Sequence, residues 1–295
     1  MSNLRRLALA AVAVAFGAVT LGSWTRINGQ GMSCPGWPAC ALSGGSVWEW
    51  THRLFAMAVA PMVLAVIVLG WRERRRPFVL TTTIVMAALF ALQVLLGAAT
   101  VHLANSPWSV VLHWGTAMAF IATLCAMIVF AGPENAHRPS GAAGTEIALT
   151  GILAGTALVA FVTMCVGAYV SSSGAGLACV SLPGCAGDVL VYSQGQYVQM
   201  LHRFVAGATV FCASSAFAIA WMRGASPRVR ASVTVGLALL FIQVLLGLLN
   251  VALRLPIDLR EAHAANAAML FLAFVVATLF AMVDARGFDT AAAAR

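Results

Sequence analysis

Eight stretches of this chain stay almost wholly apolar for about 20 residues, the length a helix needs to cross a bilayer. They fall near 7–26, 53–71, 78–101, 110–131, 146–169, 198–222, 231–253 and 262–283. A backbone in lipid must satisfy its own hydrogen bonds, and runs of this length do so as helices. The expected class is therefore an all-α integral membrane protein with eight transmembrane helices. Composition agrees: 61% of residues are hydrophobic and 9% charged, against roughly 25% charged in a soluble domain. The first run follows "MSNLRR" and has the outline of a secretory leader. An internal repeat uses it as a helix, so it is read as one.

The chain has 17 basic residues and a net charge of +8. All the basic residues are Arg, and their placement argues for a lipid bilayer rather than a nucleic-acid partner. Twelve lie at the N-terminus, in "RERRRP" (72–77), at Arg138, in "RGASPRVR" (223–230) and in the tail. These segments share one side if every apolar run crosses. The arginine-rich side is expected to be cytoplasmic. Both termini then lie in the cytoplasm, and the expected location is the cell (inner) membrane.

The chain is written twice. "LQVLLG" begins at 92 and "IQVLLG" at 242; His52–Arg53 and His202–Arg203 are again 150 apart, as are His113 and His263. The outer loops "GQGMSCPGWPAC" (29–40) and "GAGLACVSLPGC" (174–185) match at an offset of 145. The reading is two four-helix halves, 1–132 and 146–295, joined by a cytoplasmic linker, 133–145. An even helix count inserts both halves the same way up, so a pseudo-two-fold axis along the membrane normal is expected.

Cys34, Cys40, Cys179 and Cys185 lie in these loops, on the oxidising side. Two thiols with five residues between them in a Gly/Pro-rich loop can close a bridge. A metal site is the weaker reading, because neither loop carries a His. Cys125, Cys165 and Cys212 sit in apolar runs and read as packing residues.

His137 falls in the linker and His102 has no repeat partner; both read as solvated or interfacial. The other four form matched pairs, His52 with His113 and His202 with His263, each near the start of an even-numbered helix. Two imidazoles without thiolates suit haem iron better than a structural zinc site, and bundle cores hold cofactors between facing helices. Arg53 and Arg203 follow the first histidine of each pair and can bind haem propionates; snorkelling to the interface is the alternative. Gln93 and Gln243 recur inside helices and hydrogen-bond either across the bundle or to a ligand. The repeat breaks at Glu49, which precedes His52 by three residues and aligns with Gln199. An acid in one half alone is a candidate catalytic group. Capping the helix N-terminus is its plainer explanation.

Together, the two halves, the "NGQGMSCPGWPAC" loop, the Glu-x-x-His-Arg of "EWTHR" and the later His113, His202 and His263 resemble the haem A synthase family over residues 5–285. The resemblance implies oxidation of the C8 methyl of haem O to a formyl group, supplying haem A to terminal oxidases. It implies a permanent haem b on His202 and His263, and substrate haem O bracketed by His52 and His113. It also implies the disulfides Cys34–Cys40 and Cys179–Cys185, with a haem O synthase and the terminal oxidase assembly as partners. The residues alone also fit a di-haem electron carrier, or a haem transporter or chaperone without chemistry. The electron acceptor, the route by which haem enters and the oligomeric state, a homo-oligomer included, are not legible in the sequence.

Overall fold

The computed structural model describes residues 1–34, 36–37, 47–132, 143–185 and 191–293, with backbone alone for 143–146 and 286–293. Eight long helices are described: α1 Asn3–Ile27, α2 Val47–Arg72, α3 Pro77–His102, α4 Pro107–Phe130, α5 Ala143–Ser172, α6 Gln194–Met222, α7 Pro227–Ala252 and α8 Ile257–Ala293. A single 3-10 turn, Ala175–Leu177, follows α5. All eight are long and apolar enough to cross a membrane, so this is a multi-pass membrane protein.

Local chemistry starts and stops the helices. Pro77, Pro107 and Pro227 occupy first helical positions, where a missing N–H costs nothing. Ser2, Ser193 and Ser226 accept backbone N–H groups as N-caps. At the arginine-rich end of the bundle, arginines close open carbonyls, as the negative end of the helix dipole favours. Arg5 Nε donates to Ile128 O at 2.9 Å, and Arg76 Nη2 donates to Phe130 O at 2.7 Å and Gly132 O at 2.9 Å. Arginines of the N-terminus and the α2–α3 turn thus finish α4. Buried Asp284 ties α8 to the start of α7, accepting from the N-cap Ser226 Oγ at 2.6 Å and pairing with Arg228.

Within the first half α1 packs on α2 and α4, and α3 on α4; α5–α8 repeat that pattern. The halves meet through α1, α4, α5 and α8. Alanines let these helices approach closely: Ala8, Ala11 and Ala15 on α1, Ala213, Ala216 and Ala220 on α6, and Ala277 and Ala281 on α8 are buried. Met86, Met118, Ile121, Leu124, Leu149, Leu153 and Phe274 fill the remaining core.

The repeat reaches the backbone. Both short turns at the histidine end of the bundle, α3–α4 and α7–α8, carry two non-glycine residues at positive φ, at Ala104 and Asn105 and again at Arg254 and Leu255. Each turn closes with the same bond, Asn105 N to Thr100 O at 2.9 Å and Leu255 N to Asn250 O at 2.8 Å. Several helices outrun the apolar stretches that reveal them. α2 begins at Val47 rather than 53 and α6 at Gln194 rather than 198. Polar first turns extend a helix beyond the hydrocarbon without lengthening its apolar core. The consequence matters for the site: Glu49, His52 and Arg53 all lie on one continuous helix.

Candidate functional site

Each paired histidine sits one or two turns inside its helix. His202 on α6 and His263 on α8 face each other with ring centroids 6.5 Å apart and planes inclined at 73°. An atom bound axially by both rings needs about 2 Å of metal–nitrogen bond on each side, plus about 1 Å from nitrogen to ring centre. That sums to about 6 Å, close to the separation observed. Between and beside the rings lies a cavity of about 590 Å³. Its walls are largely apolar, with Leu240, Val244, Leu248 and Ala267 among them, and Thr163, Thr209 and Gln199 supply polar points.

The amide of Gln243 settles one question the sequence left open. Its Nε2 lies 3.3 Å from His263 Nδ1 and 3.2 Å from Nε2, and donates to the His263 carbonyl at 3.1 Å. Asn266 Nδ2 donates to Gln243 Oε1 at 2.7 Å, fixing the amide in turn. Gln243 is therefore a partner of His263 across the α7–α8 contact. In the first half His52 Nδ1 lies 2.8 Å from the Ala18 carbonyl, and His113 is within electrostatic reach of His52.

All four imidazoles lean on glycine, a pattern the sequence reading missed. A Cβ at Gly22 would lie 2.8 Å from His52 Cε1, one at Gly97 3.2 Å from His113 Cε1, one at Gly167 2.9 Å from His202 Cε1 and one at Gly247 3.3 Å from His263 Cε1. These glycines repeat at the same offsets, 145 for Gly22 and Gly167 and 150 for Gly97 and Gly247. Gly97 and Gly247 close the "QVLLG" motifs, so the repeat itself held the signal. Each ring thus occupies space that only an absent side chain leaves.

The residues beside the histidines hold the outer loops. Glu49, 4% exposed, accepts from Ser33 Oγ at 2.7 Å and Cys34 N at 2.9 Å, and pairs with Arg53 at 2.8 Å. Gln199 accepts from Cys179 N at 2.6 Å and donates to Gly176 O at 2.8 Å. Acid and amide thus grip equivalent points of the two loops. Arg53 donates to Gly36 O at 2.7 Å and Cys34 O at 3.0 Å. Arg203 donates to Ser181 O, Gly184 O and Cys179 O at 2.6–2.8 Å and reaches Pro183 O at 3.2 Å. The sequence suggested ligand carboxylates for these arginines; in the structure they engage loop carbonyls.

Cys179 and Cys185 are joined in a disulfide. Cys34 is buried against Glu49; Cys40 lies outside the described residues, so the expected Cys34–Cys40 bridge does too. Cys125 is buried in its helix and Cys165 and Cys212 are half-buried, all three with free thiols, as packing residues should be. Linker His137 is also outside the described residues. His102 is the exposed last residue of α3.

The donor set fits haem. Among the described residues no three or more His, Cys, Asp or Glu side chains converge as a metal site. A lone metal ion would lack ligands, whereas a macrocycle brings its own and needs only the two axial nitrogens. His202 faces the Thr163 backbone and His113 the Gln93 backbone, as His52 faces the Ala18 carbonyl, and packing against the glycines shares in setting the ring planes. Gly167→Ala should therefore turn the His202 ring at a cost of about 1–3 kcal/mol. The expected result is weaker binding of added haem and partial loss of the bis-histidine spectrum it would give. Gly155→Ala on the same helix meets nothing within 4 Å and should leave the spectrum unchanged. Equal spectra in the two variants would refute the cradle.

Fold and site together define the class as an all-helical, multi-pass membrane protein with a facing histidine pair on a cavity in its second bundle. Residues 41–275 match the cytochrome oxidase assembly protein family, and the chain belongs to that family. It is 28% identical over 269 residues to a heme A synthase of Bacillus licheniformis, covering 83% of this chain and 84% of that one. It is 25% identical over 311 residues to a heme A synthase of Shewanella oneidensis, covering 89% and 92%. A stretch of 104 residues is 36% identical to a protoheme IX farnesyltransferase of Halobacterium salinarum, covering 35% of this chain and 23% of that protein.

Proposed function

We propose that this protein is a haem A synthase, an oxidoreductase that converts the C8 methyl of haem O to a formyl group for terminal oxidase biogenesis. The observation that carries the reading is the His202–His263 pair, whose ring centroids 6.5 Å apart beside a cavity of about 590 Å³ would let both hold one haem iron. Relatives named heme A synthase that align over most of both chains support it. Haem b is the resident cofactor, held by His202 and His263; its iron supplies one-electron redox chemistry when bound. His52 and His113 bracket the substrate haem O in the first half. The two halves are related by a pseudo-two-fold axis along the membrane normal.

The chain's own groups divide the work. Gln243 and the glycines aim the ligating rings, and Arg203 and Gln199 fasten the disulfide loop over the second site. Glu49 takes the catalytic part. Removing hydrogen from a methyl group calls for a base beside it, and a carboxylate can accept a proton where Gln199 cannot. Ser33, Cys34 and Arg53 hold that carboxylate one turn from His52. A haem O synthase supplies the substrate, and terminal oxidase assembly consumes the product. The test is the haem extracted from a host that makes haem O and expresses this chain. A formyl haem is expected; haem O alone would contradict the oxidation.

A further inference from the structure

Two cations on the wall of the C-terminal cavity belong to neither His–Arg motif: Arg26 at the end of α1 and Arg260 in the first turns of α8. We propose that Arg26 and Arg260 form a carboxylate clamp, built from both halves of the protein, that holds the acidic side chains of the porphyrin in the C-terminal cavity. The proposal rests on the haem reading above.

Arg260 precedes His263 by three residues, so the two share a face of α8 and Arg260 stands about 4.5 Å further out along the axis. That places a guanidinium at the aqueous edge of the cavity whose floor carries the ligating ring. Arg26 comes from the other half and is pinned across the boundary, its Nη2 donating to Ser171 Oγ of α5 at 3.1 Å. Both side chains are half-buried, and their charges lie close enough to repel. Like charges gathered at a low-dielectric wall are costly unless an anion joins them. Glu261, beside Ser23 and Arg26, answers Arg26 in part. One positive charge is left over on this wall, and a carboxylate of the ligand answers it at Arg260 while Arg26 shares its donors between Glu261 and the second carboxylate.

The alternative anchor, Arg203, also lines the cavity but is largely committed elsewhere. Arg203 spends its Nη1 and Nη2 groups on the carbonyls of Cys179, Ser181, Pro183 and Gly184. It fastens the loop, and the ligand's acids need other donors. The repeat supplies a further contrast. The counterpart of Arg260, 150 residues earlier, is Val110; the counterpart of Arg26, 145 residues later, is Ser171. Neither is charged, so the clamp is not duplicated. A clamped dianion stays, whereas a ligand without that clamp can leave, which is what separates a resident cofactor from an exchanged substrate.

The test titrates the full-length chain, stripped of haem in detergent, with iron protoporphyrin IX and with its dimethyl ester, in which both carboxyls are blocked. A His113→Ala background confines the bis-histidine spectrum to the second site. The chain with both arginines should prefer the diacid by about 10- to 100-fold. Arg26→Gln and Arg260→Gln should each pull that ratio toward unity by weakening the diacid alone, and Arg→Lys should restore part of it. The ester serves as the folding control, because a damaged site would weaken both ligands together. A ratio unchanged in the Arg26 and Arg260 variants overturns the clamp, as does its complete loss in Arg203→Gln alone. Failure of both porphyrins to give a bis-histidine spectrum would instead refute the haem reading, and the clamp with it.

Discussion

Glu49→Gln should leave the protein loaded with haem b and lower haem A formation by about 100-fold or more, the share a positioned base contributes. The second half explains why this substitution isolates chemistry from structure. Gln199 stands where Glu49 does and accepts the Cys179 N–H at 2.6 Å, as Glu49 accepts the Cys34 N–H at 2.9 Å. An amide is therefore able to hold the loop. What it gives up is the charge that pairs with Arg53 and the capacity to take a proton. Arg53 keeps its bonds to Gly36 O and Cys34 O, so the loop retains anchors of its own. Extracted haem is the readout: haem O should accumulate while the b-type spectrum persists. Normal haem A output from this variant would reduce Glu49 to a loop clamp.

His202→Ala and His263→Ala should each remove the low-spin b-type spectrum from the purified protein. The two rings are the only pair at axial spacing on that cavity among the described residues. Losing either leaves the iron with one protein ligand and opens a void in the wall. Gln243 keeps Asn266 and the backbone carbonyl of residue 263 as partners when the His263 ring is removed, so the loss reports on the ligand rather than on the α7–α8 contact. Full haem content with an unaltered spectrum in both variants would contradict the ligand assignment.

Much of this was legible before any coordinates. Apolar runs fixed the number of helices because lipid permits no other backbone there. The paired histidines stood out because they recur at one offset, and recurrence separates a site from scattered interfacial residues. The roles of Arg53 and Arg203 were not legible. An arginine beside a histidine suits a propionate or a loop carbonyl equally well by type, and only the fold brings Ser181, Gly184 and Cys179 within 2.6–2.8 Å of Arg203. Gln243 was ambiguous for the same reason, since its partner His263 lies 20 residues away and meets it only when α7 packs on α8. The glycines opposite the rings went unread because their meaning lies in what a Cβ would strike, a distance no spacing rule supplies. Arg26 was hidden most deeply. It ends the first helix yet reaches the cavity of the second half, through a contact between halves that sequence order does not suggest.

The most direct measurement is the mass and visible spectrum of haem extracted from membranes that contain this chain and a haem O synthase, set beside membranes that contain the synthase alone. A porphyrin that has lost hydrogen and gained one oxygen at a methyl position, with the red-shifted band of a formyl haem, is the result predicted here. Haem O in both preparations, with resident haem b intact in the purified protein, would show a haem carrier without chemistry and contradict the account.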